Sequence, residues 1–242
     1  MESKVWRWIA FAAGTLALFF SNGVHGNVVG AWLAPALLLV FVVNAGVWVG
    51  FVTVIVASSA ASFFMWRGAI PIADSEYVIL SIISGVFVGL PFLLHRISAQ
   101  RLGALAGSLV YPSAATALGY LSSLGSPFGT WGNEAYMQMD IAPLAQLASV
   151  LGIWGVAFMV SWAASTIAIL VQARNRNTFV AASVFFVCLI AVLGFGASRL
   201  VVSQDVDRTV RAAALNNPSD LPDRFFEGCE RRDDYACRTA SA

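Results

Sequence analysis

The chain has 242 residues, of which 59% are hydrophobic and only 11% charged, with a formal net charge of +1. Soluble domains carry about 25% charged residues, so a water-soluble fold is excluded for most of this chain and the bilayer is the expected solvent. The near-zero charge and the lack of a basic run exclude nucleic acid as a partner.

A helix crossing a bilayer needs about 20 residues of low polarity. On that criterion seven spans are expected: Val5–Phe20, Val28–Val43, Gly46–Trp66, Tyr77–Leu94, Leu102–Leu121, Pro143–Val171 and Phe179–Leu200. The first two are short and joined by the small polar turn Ser21–Asn27. They read as full spans, tilted spans or one re-entrant hairpin. The weakest turn is Asn44-Ala45, between the second and third. The first span has a rival reading as a signal peptide, with Lys4 and Arg7 before an apolar core, but no A-x-A-like site follows. The fold class is thus an all-α polytopic membrane bundle of about seven transmembrane helices over residues 1–203, followed by a charged tail, 204–242. That tail is the water-soluble part: Val202 to Ala242 hold 14 of the 27 charged residues.

Lysine and arginine of short loops favour the cytoplasm. A cytoplasmic N-terminus places Lys4, Arg7, Arg96, Arg101, Arg174 and Arg176 inside, against Arg67 alone outside. Seven crossings then put the tail outside.

The spans hold almost no ionisable residue, which argues against a pump or voltage sensor. His95 is expected at a cytoplasmic edge beside Arg96, and His25 in an external turn without ligand partners, so no metal or other cofactor is expected. Cys188 lies in an apolar run and reads as a packing residue. Glycines recur at four-residue spacing in Gly46/Gly50, Gly85/Gly89 and Gly103/Gly107, a pattern that lets helix backbones approach within the bundle or across a dimer interface.

The external loop Ser122–Asp140 is longer than a helix-to-helix turn requires. Gly125, Pro127, Gly129 and Gly132 interrupt helical continuity. Phe128, Trp131, Tyr136, Met137 and Met139 are too apolar for an exposed connection and suit the headgroup level. Glu134, Gln138 and Asp140 add polar groups for headgroups or a docked domain. The candidate lipid or domain contacts are therefore Phe128, Trp131, Glu134, Tyr136, Met137 and Gln138. The plainer reading makes the loop a cap that closes the bundle.

The run Ala135–Val160, AYMQMDIAPLAQLASVLGIWGVAFMV, resembles the apolipoprotein N-acyltransferase family. Tyr136 and Gln138 match its Y-x-Q, Pro143-Leu144 its P-L, Leu147-Ala148 its L-A, and Gly152 with Phe158 its last block. Trp32-Leu33-Ala34-Pro35 is similar to the family's second-span pattern. The resemblance extends from about Val5 to Pro218. Two places depart from it: Gly119-Tyr120-Leu121-Ser122 lacks the family's polar cluster, and Asn216-Asn217-Pro218 replaces Q-G-N.

The resemblance implies a bacterial-type inner membrane and an external αββα nitrilase-like domain. In the family a Glu–Lys–Cys triad passes an acyl group from phospholipid to a lipoprotein's N-terminal cysteine. Lys4, at the cytoplasmic end, is the only lysine, and about 34 residues follow Thr209, so the triad is not expected on this chain and no catalytic residue is assigned. The tail reads as the incomplete start of such a domain. Cys229 and Cys237, eight positions apart in an oxidising compartment, are expected to form a disulfide. The implied partners are phospholipid, and a lipoprotein or a separate nitrilase-like domain. The rival functions are a non-enzymatic membrane protein that binds lipid or a partner and, less favoured by the missing buried charge, a transporter.

Overall fold

A computed structural model describes residues 2–67, 74–126 and 128–201. The charged tail, with the boundary near Ser203, Cys229 and Cys237, lies outside the described residues, as does Pro127. The described chain is helical throughout and contains no strand: α1 (Glu2–Leu18), α2 (Val28–Val43), α3 (Val47–Met65), α4 (Asp74–Ser98), α5 (Ala104–Gly125), the short α6 (Ala142–Ala145), α7 (Ala148–Gln172) and α8 (Arg176–Val201).

Four helices are long and apolar enough to cross a membrane: α3, α4, α7 and α8. Helices α1 and α2 are apolar but shorter. At 1.5 Å per residue the 16 residues of α2 reach about 24 Å, short of a ~30 Å hydrocarbon core. Helix α5 has 22 residues and is diluted by Ser108, Ser113, Thr116, Ser122 and Ser123. Seven long helices thus match the expected spans in order, and four of them are candidate crossings by length and composition.

One expected span is divided. Pro143–Val171 is continuous in hydropathy, yet the backbone turns at Gln146-Leu147 and kinks again at Gly152, where φ is +63°. Apolar composition does not register such a break; a glycine in the left-handed region does. Helix α4 runs to Ser98, one turn past the expected end. That turn carries His95 inward, so the expected interfacial position is corrected: His95 is 1% exposed and sits edge-on to Tyr111, ring centroids 6.4 Å apart.

Helix α7 is the central element, with 72% of its apolar window buried, against 22% for α8. It packs on α2 and α5. Ala31, Ala34 and Ala36 of α2 and Ala157, Ala164 and Ala168 of α7 are buried, and small side chains let helices approach closely where lipid gives no hydrophobic drive between them. Around them lie Leu38, Leu39, Phe41, Val54 and Phe92. Trp162 Nε1 donates to Ser108 Oγ at 3.1 Å and ties α7 to α5.

The glycine spacing divides by role. Gly85 and Gly89 of α4 lie directly against α3: a Cβ at Gly85 would meet Ser59 and the Ile55 carbonyl at 2.8 Å, and one at Gly89 would meet Ile55. These two serve packing within the bundle. Gly46 and Gly103 instead cap α3 and α5; Gly103 faces open space, and a Cβ at Gly46 would only touch the Val49 side chain at 4.0 Å.

The bundle has two distinct ends. At one, Arg7 donates to the Asn44 carbonyl at 3.3 Å and Arg96 to the Ala45 carbonyl at 3.2 Å, so the Asn44-Ala45 turn is both present and held. The other end carries the long loop.

Candidate functional site

The loop between α5 and α6 folds as a roof over that end. Ser126 Oγ accepts from the Phe128 N–H at 3.2 Å, and Gly129 and Gly132 take φ values of +57° and +84°. Asn133 Oδ1 accepts from the Ala135 N–H at 2.9 Å and opens a short 3-10 helix, Glu134–Gln138. Two elements hold the roof down. Asn22, in the α1–α2 turn, donates through Nδ2 to the Gly132 carbonyl. Trp32 of α2 donates through Nε1 to Gln138 Oε1 at 2.7 Å.

The six candidate loop residues separate under this geometry. Trp131 packs on Trp66, at the end of α3, with ring centroids 4.4 Å apart and the planes tilted by 51°. Phe128 packs on Trp131 at 5.6 Å. The Tyr136 hydroxyl pairs with Thr130 Oγ1 at 2.8 Å, away from the bundle interior. Met137 lies against Gly26 of the α1–α2 turn. Gln138 is fully buried and reaches the Glu134 carbonyl as well as Trp32. Gln138 and Met137 therefore anchor the roof, while Trp131 and Glu134 face what lies beneath it.

Beneath it is a cavity of ≈ 310 Å³. Its upper wall is Asn22, Trp66, Trp131 and Glu134; its floor, deep in the bundle, is Ser58, Phe92 and Tyr111. Phe87 and Val88 of α4 line it and are also 43% and 40% exposed on the perimeter, opposite Leu118 and Ser122 of α5. The cavity thus reaches the outside of the bundle between α4 and α5. Pro35 and Pro91 lie on its wall. Each lacks the N–H that would bond the carbonyl four residues back, at Ala31 and Phe87, and both of those residues line the cavity. Ser58 is 5% exposed and its Oγ has no hydrogen-bond partner.

Glu134 is the one carboxylate among the lining residues. The residue is half-buried by surface area, but its carboxyl is densely surrounded by protein, and that loss of solvent raises its pKa; only its own backbone N–H opposes the shift. Among the described residues no cation pairs with it. Its folded pKa lies above the unfolded one, so its contribution to stability is fully present below the ordinary carboxylate range and is lost as pH rises through the raised value. Melting temperature is expected to fall across that window in the wild type, and Glu134→Gln to remove the fall. Parallel melts from pH 4 to 8 in one detergent check this.

Among the described residues the cavity lining includes no cysteine, histidine or lysine. It is suited to holding a ligand. Sequence reasoning found the roof because its aromatics and glycines stand out in one segment. It missed Asn22, Trp66, Ser58 and Tyr111, which come from three other segments: the α1–α2 turn, α3 with its C-terminal end, and α5. For Asn22 and Trp66 a signal existed, since each stands where an apolar span gives way to a connection. For Ser58 and Tyr111, inside spans, nothing local separates them from ordinary helix residues.

The buried Trp32–Gln138 bond sets the roof's attachment. Gln138→Leu leaves the indole N–H without its acceptor, at a cost of about 1–3 kcal/mol. For a domain of this size each kcal/mol lowers melting by roughly 2–4 °C. Thermal scanning is expected to record that drop, and a matched loss in Trp32→Phe with no further loss in the double variant.

Comparison of the chain with protein-family models, with curated proteins and with solved structures gives no match.

Proposed function

We propose that this chain is the lipid-holding membrane part of an apolipoprotein N-acyltransferase-like protein. A phospholipid acyl chain is admitted between α4 and α5 and runs toward the roof formed by residues 128–138. Acyl transfer itself belongs to a nitrilase-like domain carrying its own Glu–Lys–Cys triad. The observation that carries this reading is the cavity's course, from the perimeter at Phe87 and Val88 to beneath Trp131. The last part of its roof, Ala135–Gln138, opens the run Ala135–Val160 that carries the family resemblance. The bundle crosses the plasma membrane seven times, with the Arg7–Asn44 end in the cytoplasm and the roof outside.

Two measurements test this. Phospholipid with a photoactivatable acyl chain, in nanodiscs with the full chain, is expected to label peptides containing Phe87 or Leu118. Labelling confined to α8, the most lipid-exposed of the candidate crossings, overturns the proposal. For topology, the open positions Gly103 and Gly125 accept a cysteine in a background with Cys188, Cys229 and Cys237 removed. An impermeant thiol reagent on intact cells is expected to react at 125 and to reach 103 only after permeabilisation. The reverse pattern rejects the orientation.

A further inference from the structure

The cavity is chemically one-sided. Among the described residues its lining offers one carboxyl, several hydroxyls, the Asn22 and Asn133 amides, and no lysine, arginine or histidine. Such a chamber disfavours an anionic head, which would meet Glu134 with nothing to compensate it. Six aromatic residues line the same space: Trp66, Trp131, Tyr111, Trp154, Phe87 and Phe92. A carboxyl without a cation partner, together with several aromatic faces, is the chemistry that recognises an ammonium group, because ring faces and carboxylate both present negative charge to it.

The sequence and the backbone add to this. Pro35 and Pro91 on the wall each lack the N–H that a helix would direct at the carbonyl four residues back. Ser58 Oγ, buried and unpartnered at the floor, is one more polar group open to a ligand. The far side is different in kind: Phe87, Val88 and Leu118 make an apolar passage to the perimeter.

We infer that the roof end of this cavity is an ammonium-recognition site, in which Glu134 with Trp66, Trp131 and Tyr111 takes the head of an alkylammonium amphiphile whose tail leaves between α4 and α5. The place for the tail rests on the lipid-holding reading; the place for the head rests on Glu134 and the rings. The shared chemistry is the ammonium, carried either by a lipid headgroup or by a small free amine. An uncharged Glu134 binds the cation less well, so affinity rises with pH through the Glu134 titration. Tyr111 is the other titratable residue on the cavity lining.

The test uses the full chain in nanodiscs of uncharged lipid and follows tryptophan fluorescence. Four probes are titrated: dodecyltrimethylammonium, octaethylene glycol monododecyl ether with the same chain and no charge, choline, and 3,3-dimethylbutanol, its neutral isostere. The twelve-carbon cation is expected to bind at least about tenfold tighter than the neutral ether. Glu134→Gln is expected to abolish that preference while leaving the ether's affinity unchanged, and Glu134→Asp to restore part of it. Equal binding of cation and ether in the wild type overturns the ammonium site and leaves the lipid-holding reading standing. Choline binding as tightly as the amphiphile, with dimethylbutanol silent, supports the ammonium site and overturns the place given to the tail. If no probe binds, both readings fail.

Discussion

Gly85→Leu will leave little folded protein. Helices α3 and α4 meet so closely at this position that even a methyl group would overlap Ser59 and the Ile55 backbone. The Ser59 hydroxyl can turn away, but the Ile55 carbonyl oxygen and the Ser59 nitrogen, each 2.8 Å off, belong to helix backbone and cannot, so the helices must part. Overpacking of a core typically costs about 1–3 kcal/mol, and a clash with backbone belongs at or beyond the upper end. Helix separation would also disturb Tyr77, whose hydroxyl donates to the Phe63 carbonyl at 2.9 Å and joins α4 to α3. Gly85→Ala is expected to lower melting measurably, and Gly85→Leu to elute as aggregate in size-exclusion chromatography. Gly194→Ala is the control: it lies in α8 with no heavy atom near its added carbon, so melting should hold or rise. A normally folded Gly85→Leu protein would contradict the α3–α4 packing described above.

Trp131→Ala has the largest expected effect on ligand holding. The ring closes the roof by packing against Trp66, yet it remains 48% exposed. Its removal forfeits two aromatic contacts, each worth about 0.5–1.5 kcal/mol in a buried setting and less in this half-exposed one. The stability loss should therefore be modest, a few degrees of melting temperature at roughly 2–4 °C per kcal/mol. The loss of lipid should be larger, on the order of tenfold, because the cavity becomes open from above. Both quantities are read from one nanodisc preparation. A large fall in melting with lipid binding intact in the folded fraction would establish the loop as a cap alone. No change in either removes the loop from both accounts.

The order of helices was legible because apolar runs are long and their boundaries carry polar residues. Asn27 accepts the Gly30 N–H at 2.8 Å and caps α2 at its expected start. Asp74 and Glu76 in the first turn of α4, with Arg96 in its last, suit the helix dipole and mark both ends. What hydropathy could not supply was direction within an apolar run. The kink at Gly152 and the close approach of Gly196 to the Pro143 carbonyl need coordinates, since glycine, alanine and leucine all score as apolar there. The site followed the same rule. Its roof is one contiguous segment and was visible. Its floor draws Ser58 from α3 and Tyr111 from α5, residues that only packing brings together.

The central position of α7 bears on how the protein is made. Helix α2 is buried against it, with Ala34, Leu38, Leu39 and Phe41 wholly enclosed, but more than a hundred residues of chain separate the two. At synthesis rates of about 5–20 residues per second, α2 emerges on the order of ten seconds before α7 is complete. During that interval its alanine face has no partner from its own chain and rests against lipid or the insertion machinery. Substitutions on that face therefore act twice, once on the finished bundle and once on the fraction of newly made chains that reach it.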